Sequence, residues 1–231
     1  MQGDKRENMP RQMSESLLVG LLLAFSGGLM DAYTYVFRGS VFANAQTGNL
    51  ILLGINLFDG SFHNALKYLF PVLSFTLGVL LAQGFRLAFQ KGGKLHWRHL
   101  SLLLEIALLT AVSFLSADNN LLANCMVSFA CGVQVQSFRK IRGNHLATTM
   151  CIGNLRTATE FLVNAVHEKN LRLFKRACLY YGVIAVFSVG AVCGNALVRA
   201  FGQRAILASP VLLLAAFGIM CIRAKQDDGL E

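Results

Sequence analysis

Apolar residues gather into eight blocks along the chain, at 17–37, 41–58, 66–89, 100–115, 121–138, 145–166, 177–198 and 205–222, with short polar turns between them. A bilayer crossing takes about 20 apolar residues at ~1.5 Å rise each, so most of the blocks read as transmembrane helices. The first and seventh carry small residues at helical spacing: Gly20, Ala24, Gly28 and Ala32 in one, Gly190-x-x-x-Gly194 in the other. In lipid such stripes let helix backbones approach closely, which takes the place of hydrophobic collapse.

Two blocks break the pattern. Asn44, Gln46, Thr47, Asn49 and Asn56 interrupt block two, and Gly48 and Gly54 weaken it as a helix. Block six carries Thr148, Thr149, Asn154, Arg156, Thr157 and Glu160. Polar or non-helical backbone at membrane depth is tolerated only where protein or a water-filled cavity surrounds it. Blocks two and six are therefore expected to be short polar or broken helices, with ordinary buried spans as the alternative. The fold class is an all-α polytopic membrane protein with about six full transmembrane helices plus those two.

Composition agrees. Of 231 residues, 55% are hydrophobic and only 14% charged, with mean hydropathy +0.52; soluble domains carry about 25% charged residues. The net charge of +9 sits in short loops between apolar blocks, not in a basic stripe on a soluble fold. That distribution fits cytoplasmic loops beside anionic lipid and argues against nucleic acid. The six cysteines lie inside apolar blocks with no C-x-x-C pair, so neither a disulfide framework nor a zinc site is expected. Residues 1–16 are polar, with Lys5, Arg6 and Arg11 ahead of a first run too long for a signal-peptide core. They read as a cytoplasmic amino-terminal segment, followed by one membrane domain over 17–222 and a charged tail at 223–231.

The halves resemble each other. At an offset of 104, Phe25 aligns with Phe129, Gly28 with Gly132 and Arg38-Gly39 with Arg142-Gly143; one residue is then inserted and Gly48-Asn49-Leu50 aligns with Gly153-Asn154-Leu155. Two repeats, about 17–116 and 121–222, are expected. If all eight blocks span, the halves are parallel, and the loops with Arg86, Lys91, Lys94 and Arg98 and with Arg139, Lys140 and Arg142 fall outside, against the positive-inside rule. If blocks two and six are partial, the halves are inverted and those loops fall inside. The inverted arrangement is favoured.

Asp31 is the sharpest candidate for chemistry, since an ionisable residue within a span costs ~3 kcal/mol on insertion scales and marks a pathway or proton relay. Its counterpart in the second half is Val135. Gln46, Thr47, Asn49 and Asn154 are candidate solute- or ion-binding residues, at half-helix ends where backbone and amide groups face a solute. Gly28, Gly48 and Gly153 are expected to be structural. Arg156 and Glu160 stand four apart and are expected to neutralise each other; Glu105 is expected to snorkel toward the basic loop before it. His96-x-x-His99 is a metal pair without an acidic companion, so no metal and no cofactor are expected. No H-E-x-x-H, G-x-S-x-G, P-loop or Rossmann fingerprint occurs, and no enzyme is expected.

The glycine-rich run ending in Asp31, the Val41-Phe42 start and Thr47-Gly48-Asn49-Leu50 together resemble the YoaK-like family of uncharacterised bacterial membrane proteins, over Ser16 to about Ile222. The resemblance implies a multi-pass protein of the bacterial inner membrane and supplies no substrate. The residues themselves point to a small-solute or ion transporter or channel, with Asp31 as the proton- or cation-responsive site. Its expected partners are the lipid bilayer, an unidentified solute or ion, and a second copy of the chain. The alternative is a non-transporting assembly or regulatory protein of the membrane.

Overall fold

The computed structural model describes residues 16–89, 97–141, 144–146 and 148–228. The amino-terminal segment, most of the loop with Lys91, Lys94 and His96, and Arg142-Gly143 lie outside the described residues. Among the described residues the chain is all-α apart from one small hairpin. Its helices are α1 (Leu17–Phe37), α2 (Gln46–Phe58), α3 (Phe62–Phe89), α4 (Trp97–Val112), α5 (Asn120–Ser137), α6 (Cys151–His167), α7 (Leu171–Phe201) and α8 (Ala208–Asp228). Strands β1 (Lys140–Ile141) and β2 (Asn144–His145) pair antiparallel between α5 and α6. Short 3-10 turns at Ala117–Asn119 and Gly202–Leu207 precede α5 and α8.

The helices follow the apolar blocks, with informative differences. Helix α2 begins five residues later than block two, and its 13 residues reach only ~20 Å, short of a ~30 Å hydrocarbon core. Helix α7 is longer than block seven, at 31 residues. Three described stretches are long and apolar enough to cross a membrane: Leu17–Phe37, Phe62–Phe89 and Leu171–Ile222, the last joining α7 to α8.

Two close crossings organise the bundle, α1 against α7 and α3 against α5. They share one device. A Cβ placed on Gly28 would fall on the Phe187 carbonyl oxygen, and one on Gly190 would fall on that of Phe25. Likewise Gly78 faces the Phe129 carbonyl and Gly132 that of Phe75. Each glycine is the last residue of a Phe-x-x-Gly segment, four in all. With no side chain between them, the backbones touch, and dispersion between helices rises accordingly.

Helices α2 and α6 lie on α3 and α7 respectively, while α4 and α8 pack on each other and on α5 and α1. The main core joins α1, α4, α5 and α8 through Leu23, Met30, Leu102, Leu109, Val127 and Leu213. A smaller one joins α1, α6 and α7 through Ala24, Ala158, Tyr180 and Val183. Helix α5 starts beside the end of α1, since Asn124 donates to the Arg38 carbonyl at 2.8 Å. The two helices therefore run antiparallel.

Candidate functional site

Asp31 lies in the last third of α1 and is 8% exposed. The chain then leaves the helix through Gly39 and Ser40, both left-handed (φ 88° and 62°), and folds back so that residues 41–45 lie beside Asp31. Oδ1 of the acid accepts the Asn44 backbone N–H at 2.7 Å, and the N–H groups of Ala43 and Ala45 also face the carboxylate. The Asn44 side chain returns a bond to the Gly27 carbonyl at 3.2 Å. Helix α2 starts at this point, and its N-cap residue, Ala45, has no side-chain oxygen to offer. A carboxylate from a neighbouring helix supplies the negative charge and the acceptor that the helix start otherwise lacks.

The other first-half candidates hold the same loop. Asn49, the one buried residue of α2, donates from Nδ2 to the Phe42 carbonyl (2.7 Å) and accepts the Phe42 N–H on Oδ1 (3.0 Å). The same amide donates to Gln46 Oε1 at 2.9 Å, and Gln46 Nε2 donates to the Ala43 carbonyl at 2.7 Å. These bonds explain why block two is not helical at its start: side chains from α1 and α2 take the backbone groups that a longer helix would pair. A Cβ at Gly48 would press on the Phe42 ring, which stacks on Tyr35 at 4.7 Å. Thr47 is exposed.

The second loop, before α6, arrives at the same place. The Thr149 methyl covers Gly27, and Thr148 Oγ1 accepts from Gln134 Nε2 at 3.2 Å; that amide also donates to the Leu23 carbonyl. Helix α6 has no side-chain cap at Met150, and its first residue, Cys151, lies within electrostatic reach of Asp31. Asn154 is buried on α6. Gly153 has open space where a Cβ would go, so it mediates no close approach of the kind seen at Gly48. Arg156 and Glu160 are both exposed, and no bond or ion pair joins them, contrary to the expectation from their spacing.

Two residues outside the expected set change the picture. Arg38 is fully buried. Its Nε donates to the Tyr33 hydroxyl (2.9 Å), one terminal nitrogen to the Ser116 carbonyl (2.9 Å) and Asn120 Oδ1 (3.3 Å), and the other to the carbonyls of Leu115 (2.8 Å) and Val112 (3.2 Å). The guanidinium thereby caps the end of α4 and meets the negative end of that helix dipole. Gln203 adds to this end, donating to the Ser113 carbonyl at 2.7 Å and accepting from the Tyr33 hydroxyl at 3.2 Å. In the sequence Arg38-Gly39 reads as a loop charge; its recurrence as Arg142-Gly143 and its aromatic neighbours were the only signals otherwise.

Glu105 is the second. It does not snorkel: it is fully buried at the middle of α4, and among the described residues neither carboxylate oxygen has a partner. Its helix turns that residue inward because Leu102 and Leu109, three before and four after, face the core. Both acids lie seven residues before the shared end of α1 and α4, where Arg38 meets Val112. At ~1.5 Å per residue they stand at about the same depth, ~10 Å from that end. Cys131 of α5 lies in electrostatic reach of both, with its Sγ 3.9 Å from Met30 Sδ. Among the described residues no group of three His, Cys, Asp or Glu could hold a metal ion; His99 is buried on α4 against Phe217.

A family model described as "Protein of unknown function (DUF1275)" matches residues 19–219. The chain belongs to the DUF1275 family. The match covers α1 through most of α8 and therefore every site residue named above. No curated protein and no solved structure matches the chain. Long apolar helices and family membership together make this a helical membrane protein of an uncharacterised family, consistent with the YoaK-like resemblance.

Proposed function

We propose that this DUF1275 protein is a small-solute or ion transporter of the bacterial inner membrane, with its amino terminus in the cytoplasm and Asp31 as its proton- or cation-responsive residue. The observation that carries the reading is the placement of the Asp31 carboxylate: inside the bundle, holding the start of a helix too short to span. A charged Asp31 accepts the Asn44 N–H and fixes residues 41–45. When a proton or cation occupies the carboxylate, its hold on those donors weakens and the loop is released. The site thus couples occupancy to the position of a broken helix, the element that transporters place at the midplane.

The proposal includes an inverted duplication. Exchanging α1–α4 with α5–α8 carries the Gly28–Phe187 and Gly190–Phe25 contacts onto Gly132–Phe75 and Gly78–Phe129. The antiparallel course of α1 and α5 supports inversion, as do the basic loops, which inversion brings to the cytoplasm. In a cysteine-free background, single cysteines replacing His63 and Glu168 are expected to react with a membrane-impermeant maleimide from opposite sides. Labelling of both from the cytoplasm sinks the inverted arrangement.

Transport is read in proteoliposomes containing a pH-sensitive dye, under imposed gradients of protons, sodium, potassium and a panel of small metabolites. Asp31→Asn is expected to abolish or uncouple any wild-type flux, because the amide cannot take up a cation's charge. Wild-type flux in the variant removes Asp31 from the mechanism. A second reading, a non-transporting assembly protein, is favoured by one observation: Gln46 and Asn49 direct their amides to loop backbone. Absence of flux for every solute, with a partner that co-purifies at constant stoichiometry, selects that reading.

A further inference from the structure

Burying a charged carboxylate without a partner costs far more than burying a paired one, in protein or in lipid. Asp31 meets that condition with backbone N–H groups. Glu105 does not: at zero exposure its two oxygens have no hydrogen-bond partner among the described residues. No cation among the described residues offsets its burial. A group so placed needs something that the protein side chains do not provide. We infer that Glu105 is a proton-binding site of the bundle, a carboxylic acid held in the core at about the depth of Asp31.

Three features favour a proton over a metal cation. The acid lies between Leu102 and Leu109, and among the described residues it belongs to no group of three His, Cys, Asp or Glu that could hold a metal ion. A small monovalent occupant neutralises it without further ligands. The Cys131 thiol lies within electrostatic reach of both acids and of the Asn44 side chain, whose Oδ1 is buried and has no partner among the described residues. The titratable groups to be reckoned with are Cys131 on α5, Asp31 on α1, and His99 two turns earlier on α4. From α8 the hydrophobic core takes Leu213, Ala216, Phe217, Ile219 and Met220.

The inference does not rest on transport, and its test is read on the resting protein. The purified chain in lipid nanodiscs is treated with dicyclohexylcarbodiimide, an apolar reagent that adds to protonated buried carboxyls, and the adduct is located by mass spectrometry. Infrared difference spectra of the same sample are taken in light and heavy water. Expected are an adduct on Glu105 that persists in Asp31→Asn, and a carboxylic-acid carbonyl band that shifts on deuteration and is lost in Glu105→Gln. Should that variant fail to fold, the adduct's position in the wild-type chain decides alone. Three results overturn the inference: no adduct on folded wild-type protein, an acid band that does not exchange with heavy water, or protection of Glu105 by sodium or potassium at constant pH. The last would mean a metal-cation site.

Discussion

Arg38→Ala is expected to lower the stability of the folded chain by roughly 3–5 kcal/mol, the range seen when one side of a buried charged network is removed. The guanidinium contacts three carbonyls beyond or at the end of α4, the Asn120 amide oxygen and the Tyr33 hydroxyl. Alanine takes the side-chain donor from the Leu115 carbonyl and Asn120 Oδ1, while the Val112 and Ser116 carbonyls keep only the backbone N–H groups of Leu115 and Asn119. A buried group left without a partner costs about 1–3 kcal/mol. It also removes the flat cation lying over the Phe37 and Tyr33 rings, 5.2 and 5.5 Å from their centroids. Arg38→Lys is expected to recover only part of the loss, because an ammonium is a point donor and cannot span acceptors on both sides of a planar fork. The midpoint of thermal loss of monodisperse protein in detergent reads the effect. A midpoint for Arg38→Ala equal to wild type would mean that the network contributes nothing.

The second large effect is expected at the helix crossings. In Gly28→Ala the new methyl falls on the Phe187 carbonyl, which is backbone and cannot rotate away. Helices α1 and α7 must separate, losing dispersion contacts along the crossing, at a cost of about 1–3 kcal/mol or more; Gly28→Val, with two further carbons, costs more. Gly132→Ala is expected to match it, because the Phe75 carbonyl occupies the same position on α3. Gly182→Ala in α7 is the control: nothing lies within 4 Å of its Cβ position, so the change is expected to be neutral or to stabilise by up to ~1 kcal/mol. The same thermal measurement ranks the three. Equal midpoints for Gly28→Ala and Gly182→Ala would show that the close approach is not what holds α1 to α7. The double variant Gly28→Ala with Gly190→Ala is expected to cost less than the sum of the two, since the first methyl already parts the helices.

Much of the architecture was legible along the chain. Block one and α1 coincide at Leu17–Phe37, because an uninterrupted apolar run in lipid has one way to satisfy its backbone, and that way is local. The polar interruptions of block two correctly marked a short helix, since amides and glycines so close together cannot face acyl chains. The position of Asp31 inside a span was equally readable, and with it the expectation of a special environment. Such signals are covalent neighbours or helical neighbours, so sequence alone places them.

Partners brought from other elements were not readable in this way. Asp31 bonds a backbone N–H thirteen residues on, Arg38 bonds carbonyls more than seventy residues away, and the Glu105 carboxylate has no hydrogen-bond partner among the described residues. Spacing gave Glu105 a basic loop to reach for, while the packing of Leu102 and Leu109 turned it the other way. The same holds for Arg156 and Glu160, which are correctly spaced to pair yet stay apart on an exposed face. The sequence by itself determined a helical membrane protein with two unusual polar segments, because hydropathy and helix geometry act over a few residues. Only the tertiary structure decided that Asp31 holds the start of α2, that Arg38 closes α4, and that Glu105 turns into the core. Which donor meets which acceptor is set by how the helices cross, and at those crossings four glycines bring backbones into contact.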